Sequence, residues 1–224
     1  MTEFFNYKDF AFNSSWKVSL LPYRDSFILF VDDIYQHPER VYEYLSSCPI
    51  RSHKPTGRGV NGIDFYDGQQ YLDNRWDPCR KDLFQRICDI YNIKLDDSHP
   101  NPPLSVYNTF SLVKDYPGDG KFFHPHIDDN LNILIYLNPE ADGKYGTTLY
   151  TPVCQEAVDD LNYVSSNDTE HTQPWKDSSW YHEDMCIINK FNGLVAFPGH
   201  WPHGQTITDN FYKNKIRCTE VTFF

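Results

Sequence analysis

Long apolar runs, positive charge and clustered cysteines are all scarce in this chain of 224 residues. No run approaches the roughly 18 apolar residues that a membrane-crossing helix needs, so no segment is expected to span a bilayer. Positive charge is in deficit: 20 Lys and Arg stand against 31 Asp and Glu, a formal net charge of −11. A phosphate backbone is gripped by a basic patch, so this balance argues against a nucleic-acid partner. The six cysteines, at 48, 79, 88, 154, 186 and 218, never form a C-x-x-C pair. That excludes a cysteine zinc site and predicts reduced, mostly buried thiols in a cytoplasmic protein. The opening MTEFFNYKDF is acidic and aromatic, which is not the pattern of a secretory leader. Internal repeats, low-complexity stretches and obvious linkers are also missing, so one domain over 1–224 is expected.

What the chain does have is aromatic bulk, at 17% Phe, Tyr and Trp. Such side chains bury large areas and support a substantial core. FILFVDD, residues 27–33, reads as a short strand. In the segment after it, Pro38 suits a first helical turn, Glu39 suits a helix N-terminus, and Val41, Leu45 and Cys48 recur at helical spacing. A second helix is predicted from Cys79 to Tyr91, with Leu83, Ile87, Cys88 and Tyr91 on one face. Residues 51–71 between them read as a Gly-rich loop. From about 104 the texture changes to β-prone runs: LSVYNTFSLV, LNILIYLN, TTLYTPV, MCIINKF, GLVAFPG and RCTEVTFF. Turn signals such as YPGDG and NPEADGKYG separate several of them. This pattern predicts an α+β chain, with helices flanking in 1–103 and an antiparallel sandwich or barrel in 104–224. Residues 155–183 interrupt the strands as a polar insertion. QEAVDDLNYV within it suits a short helix, and the segment reads equally as a lid over a site or as surface decoration.

Chemistry concentrates in KFFHPHIDDN, residues 121–130. His126 and Asp128 form H-x-D, and residues two apart on a strand share a face. Alone the pair is weak evidence, and a structural turn explains it as well. A further ligand is offered by GLVAFPGHWPHGQ, which carries His200 and His203. Two imidazoles and one carboxylate with open positions suit a non-haem iron(II) centre. Arg217 and Thr219 also share a strand face, and a guanidinium fork with a hydroxyl matches a carboxylate.

Taken in order, HID (126–128), FPGHWPH (197–203) and RCT (217–219) resemble the iron(II)- and 2-oxoglutarate-dependent dioxygenase family. LIYLN followed by GTTLYTP also resembles a strand pair of that family, with Thr147 where a second Gly is usual. FVDDIYQHPERV resembles the opening of small members without an assigned substrate. The resemblance covers 104–224 well and the first hundred residues loosely. It implies a double-stranded β-helix (jelly-roll) barrel with N-terminal flanking helices. It implies iron(II) bound by His126, Asp128 and His203, the spacing from Pro198 favouring His203 over His200. Arg217 and Thr219 would hold the co-substrate 2-oxoglutarate, with Asn108 and Tyr136 near it at the barrel mouth. With O2, such a centre hydroxylates or demethylates a C–H of a small-molecule or peptide substrate. Two other readings stay open: a cupin-like metalloprotein, for which His124 would be an extra ligand, and a non-catalytic jelly-roll binding module. His124 otherwise reads as a loop residue and Asp129 as a solvated one. Trp175, Trp180 and Trp201 suit either a pocket wall or the core.

Overall fold

A computed structural model describes residues 7–47, 78–94, 104–110, 115–167, 175–213 and 215–223. The loop read over 51–71 and Cys48 lie outside the described residues, as do the side chains of 104–110. Among the described residues there are eleven strands: β1 (Val18–Tyr23), β2 (Ser26–Val31), β3 (Leu104–Phe110), β4 (Lys121–Phe123), β5 (Leu131–Tyr136), β6 (Thr147–Pro152), β7 (Trp175–Asp177), β8 (Tyr181–Ile187), β9 (Leu194–Pro198), β10 (His203–Gln205) and β11 (Arg217–Phe223). Three α-helices accompany them among the described residues: α1 (Pro38–Ser47), α2 (Pro78–Ile90) and α3 (Gln155–Asn167). These strands all pair antiparallel. The major sheet runs β1-β2-β9-β5-β11-β3, a second sheet runs β10-β6-β8, and β4 pairs with β7.

The segment expected as a helical flank therefore also supplies two strands to the major sheet. β1 escapes a sequence reading because VSLLPY has no buried face to impose an alternation. Its position at the sheet edge also tolerates Pro22. The three-residue strands β4, β7 and β10 are too short to show a period. β8 starts at Tyr181, ahead of the predicted MCIINKF, because its polar residues His182, Glu183 and Asp184 face solvent. The thiols are also less buried than expected. Cys88 and Cys218 are buried, but Cys186 is exposed and Cys79 and Cys154 are intermediate; none of these five is in a disulfide.

Alternation along the central strands sorts residues onto two faces. One face of the major sheet carries Leu29, Val31, Ile133, Ile135, Leu194, Ala196 and Cys218. These pack with Val41 and Leu45 of α1 and Leu83, Phe84 and Ile87 of α2. The other face carries Ile28, Leu134, Tyr136, Val195 and Phe197, which pack with Leu149 and Ile187 of the second sheet and with Trp201. The helices thus close one side, and the second sheet closes the other.

The helix-side layer holds a charge pair that helical periodicity does not reveal. Arg80 of α2 and Glu220 of β11 are both fully buried and ion-paired. Tyr35 donates its hydroxyl to Glu220 and accepts from Arg80 at 2.9 Å. The guanidinium also lies 4.1 Å from the Phe12 ring centroid. Removing one member of a buried pair leaves the other charge desolvated without its counter-charge. Glu220→Gln should therefore lower unfolding free energy by about 3–5 kcal/mol in urea titrations. The double variant Arg80→Met/Glu220→Leu should recover most of that loss, and a Glu220→Gln variant as stable as the parent would contradict this account.

Candidate metal centre

After β4 the chain turns sharply. His124 has a φ of 59°, a left-handed conformation unusual for a residue with a Cβ. Two residues on, His126 bonds to the first residue of β10: His126 N–H donates to the His203 carbonyl and His203 N–H to the His126 carbonyl, both at 2.9 Å. Two glycines allow this approach. A Cβ on Gly204 would come within 2.6 Å of the Phe123 carbonyl, and one on Gly199 within 1.8 Å of the Asp129 carbonyl. The Gly199 carbonyl in turn accepts from Asp128 N–H at 2.9 Å. The backbone alone thus places His126, Asp128 and His203 side by side.

Their side chains converge. One ligand atom from each can be chosen so that all lie within 4.8 Å of one another. His203 Nε2 is 3.3 Å from Asp128 Oδ2, and His126 Nε2 is 3.9 Å from the same oxygen. Each imidazole is oriented by a carbonyl two residues earlier: His203 Nδ1 lies 2.8 Å from the Trp201 oxygen and His126 Nδ1 2.7 Å from the His124 oxygen. A carbonyl only accepts, so each Nδ1 carries the hydrogen and each Nε2 keeps its lone pair. Outer hydrogen bonds of this kind fix tautomer and direction in metal sites. Burial raises the Asp128 pKa, but its contacts with His203 and His126 outweigh it, and the carboxyl is held well below the usual carboxylate range. Burial, helped by His126, lowers the His203 pKa despite the opposing pull of Asp128. A neutral imidazole pair and an ionised carboxylate are the forms that bind a divalent ion, so the donor set fits one. His203 is buried at 3% exposure, whereas His126 and Asp128 retain 18% and 23%, so the cluster opens on their side.

The other histidines separate cleanly. His200 is exposed and lies 3.7 Å from Asp25. His124 is buried, but its Nδ1 lies 3.1 Å from Nδ1 of His126, on the ring edge facing away from Asp128.

The predicted co-substrate residues form a row across three strands. On β11, Thr219 pairs with Tyr136 of β5 on one side and with Asn108 of β3 on the other; the Asn108 side chain lies outside the described residues. Arg217 and Thr219 are both buried. Burial lowers the Arg217 pKa, while the neighbouring Tyr212 and Tyr136 raise it. Tyr212 itself is pushed up to about 12 by burial. Tyr136 donates to Thr147 Oγ1 at 2.8 Å, spanning the gap between the two sheets. Among the described residues, the buried Thr219 Oγ1 and Gln205 Oε1 find no hydrogen-bond partner. A buried guanidinium with a hydroxyl two residues along the same strand is a pair of donors that fits a carboxylate ligand.

Asn132, Gln205 and Tyr212 escaped the sequence reading. Asn132 is a lone polar residue inside an apolar strand, two residues from Leu134, and that was its visible signal. Gln205 follows His203 by two and so shares its face. Tyr212, in a 3-10 turn (Phe211–Lys213), has no local signal at all. The 155–183 insertion is tied down at both ends. Ala157 and Leu161 of α3 pack with Tyr150 and Tyr181, Lys176 of β7 pairs with Asp160 at 2.7 Å, and Trp175 meets Phe123 edge-on. Trp180 packs against the same cluster as Ile127, the residue between His126 and Asp128. Trp201 belongs to the inter-sheet core.

No family model matches the sequence, and no curated protein does. Solved structures give distant likenesses. An N-substituted L-amino acid dioxygenase from Burkholderia ambifaria AMMD is 9% identical with a TM-score of 0.40, over 88% of this chain and 82% of that one. A Pseudomonas putida prolyl-4-hydroxylase is 14% identical with a TM-score of 0.34, over 84% of this chain and 97% of that one. The functional reading rests on the geometry of the site. Among the described residues no helix is long and apolar enough to cross a membrane.

The depressed His203 pKa has a consequence for stability. The unfolded imidazole takes its proton near pH 6.5, whereas the folded one resists it. Between those values the unfolded state binds more protons, so stability falls as pH drops from about 6.5. Chemical denaturation of metal-free protein between pH 7 and 5 should show this slope, and His203→Gln should flatten it. Equal slopes in both proteins would contradict the assignment.

Proposed function

We propose that the protein is an iron(II)- and 2-oxoglutarate-dependent oxygenase that hydroxylates or demethylates a C–H of a small-molecule or peptide substrate. The observation that carries this reading is the placement of a two-histidine, one-carboxylate cluster and a buried arginine along one inward face. Asn132, which touches both Asp128 and His203, and Tyr136, which pairs with Thr219, are four residues apart on β5. That is about 13 Å between Cα atoms, a gap that inward side chains narrow toward the span of a small dicarboxylate. The two antiparallel sheets on either side suit a jelly-roll barrel, and 1–224 suits one dioxygenase-like domain. Five cysteines without a disulfide suit a reducing, cytoplasmic setting.

Each residue then has a task. His126, Asp128 and His203 would hold iron(II), and their single negative charge leaves the ion net positive toward an anionic co-substrate. When bound, iron with 2-oxoglutarate and O2 supplies the oxidation of the substrate C–H. Arg217 would hold the distal carboxylate through its planar fork, with the Thr219 hydroxyl as a further donor. Tyr136 would line the passage between them. The buried inter-sheet wall of Leu134, Phe197 and Trp201 keeps water from that space. Ile127, Trp180 and the 155–183 segment would form the side wall where substrate enters, next to the more exposed His126 and Asp128.

The parent protein with iron(II) should convert 2-oxoglutarate to succinate even without its substrate, and His126→Ala, Asp128→Ala and His203→Ala should each lose both iron and turnover. Arg217→Ala should raise the 2-oxoglutarate requirement by roughly tenfold or more, since a charged buried hydrogen bond is worth about 1.5–3 kcal/mol. Arg217→Lys should restore only part, because the fork is lost. Iron binding without any response to 2-oxoglutarate would move the protein to the cupin-like reading; no iron binding would leave a binding module.

A further inference from the structure

We propose that Asn132 is a positioning residue of the metal centre: its side-chain N–H holds the Asp128 carboxylate so that one chosen oxygen faces both imidazoles. The proposal rests on the centre described above. It adds no ligand, so the other positions of the ion stay open to co-substrate and O2. Asn132 is the rigid member of the pair. It lies on β5, inside the major sheet, paired to Phe197 of β9 and buried at 3% exposure. Asp128 lies in the loop between His126 and β5 and keeps 23% exposure. Its backbone N–H is held by Gly199, but a carboxylate turns about a soft terminal torsion, and the backbone does not choose which oxygen points inward. Asn132 does choose. Its Nδ2 lies 2.6 Å from Asp128 Oδ2. That same oxygen is 3.3 Å from His203 Nε2 and 3.9 Å from His126 Nε2.

The acceptors fix which end of the amide does this. An ionised carboxylate oxygen only accepts. His203 Nε2 also only accepts, because its Nδ1–H is committed to the Trp201 carbonyl. The end of Asn132 that stands 2.6 Å from both is therefore the NH2, which has a hydrogen for each. The other end, Oδ1, is buried with no hydrogen-bond partner among the described residues. Polarity at 132 thus answers to the two ligands and not to the strand. Before an ion binds, one amide steadies both ligand atoms from a fixed point in the sheet. An imidazole nitrogen has one lone pair, so His203 gives up its amide hydrogen when it takes a cation. A carboxylate oxygen has a further lone pair, so Asp128 keeps the bond from Asn132 while it ligates. A carboxylate free to turn can offer both oxygens to an ion and fill a position that co-substrate or O2 needs. The bond from Asn132 opposes that turn.

The test is an anaerobic Co2+ titration of the parent and Asn132→Leu, read from the visible absorption of the bound ion. Leu matches the shape of Asn and has no N–H. Its Co2+ affinity should fall by roughly tenfold to a hundredfold. Its absorption band should also change, because the carboxylate no longer meets the ion in one fixed way. A side chain that only fills space would not move that band. If the variant keeps either the parent's affinity or its band, the proposal is overturned and the three-ligand centre stands. Where Asn132→Leu does not fold, nuclear magnetic resonance of the nitrogen-15-labelled parent decides. One Asn132 side-chain proton should sit downfield, as a bond to a carboxylate places it, and stay there when Zn2+ binds. The other should move as His203 turns its lone pair to the ion. Loss of the downfield proton on Zn2+ binding overturns the proposal without reference to any variant. A parent whose Co2+ binding is absent, or survives His126→Ala and Asp128→Ala unchanged, overturns the centre and the role of Asn132 with it.

Discussion

Two backbone hydrogen bonds between His126 and His203 hold this site together. They join a loop that follows β4 to the start of a strand far along the chain, and they set the two rings 4.3 Å apart between centroids. Everything else about the cluster is downstream of that bridge. The carbonyls of His124 and Trp201 can orient the imidazoles only because the backbone has already brought the rings together, tilted by 53° to one another. Asp128 reaches both because its own N–H is held by Gly199 at the end of β9. A glycine at 199 and another at 204 are needed for reasons of clearance rather than flexibility, since a Cβ at either would meet a carbonyl oxygen.

The major sheet does two jobs with one strand. Along β11, Cys218 and Glu220 point toward the helices and Arg217 and Thr219 toward the second sheet. Two buried charges therefore sit back to back within four residues and are handled differently. Glu220 is closed off by Arg80 and Tyr35, so its layer is electrically complete. Arg217 faces Tyr212 and Tyr136, whose phenols burial holds protonated. The helix-side pair anchors α2 to the strand that carries Arg217, so the packing of the flank bears on the geometry of the site.

The sequence was legible where periodicity or motif order speaks. The helix predicted from Cys79 to Tyr91 forms over Pro78–Ile90 with Leu83, Ile87 and Cys88 buried as expected. QEAVDDLNYV is the start of α3. Within the motifs, H-x-D and the later histidine meet as their order suggested, and His200 is left at the surface. What could not be read depends on contacts between distant segments. Arg80 looks like a solvated helix residue until Glu220 arrives from the other end of the chain. β10 is three residues long and exists because β6 offers it an edge. Tyr212 reaches Arg217 from a 3-10 turn and Gln205 pairs with Thr147 of β6, and neither stands out among its neighbours in sequence.

The inward face also shows why stability alone does not explain this core. A core selected for packing would put aliphatic side chains at Asn132, Thr219 and Gln205, between Leu134, Leu149 and Phe197. Each of these three instead leaves an oxygen buried without a partner among the described residues, at a cost of about 1–3 kcal/mol apiece. His124 adds a left-handed backbone conformation, which costs on the order of 1–3 kcal/mol for such a residue. Such costs also occur elsewhere, at Trp16 Nε1 and Asn189 Oδ1 and in the left-handed backbone of Arg24, Asp33, Asn92, Tyr145 and Asn192. What sets Asn132 and Thr219 apart is their place on the face that runs from the His126–Asp128–His203 cluster toward Arg217, where hydrogen-bonding groups already stripped of water suit a preorganised site.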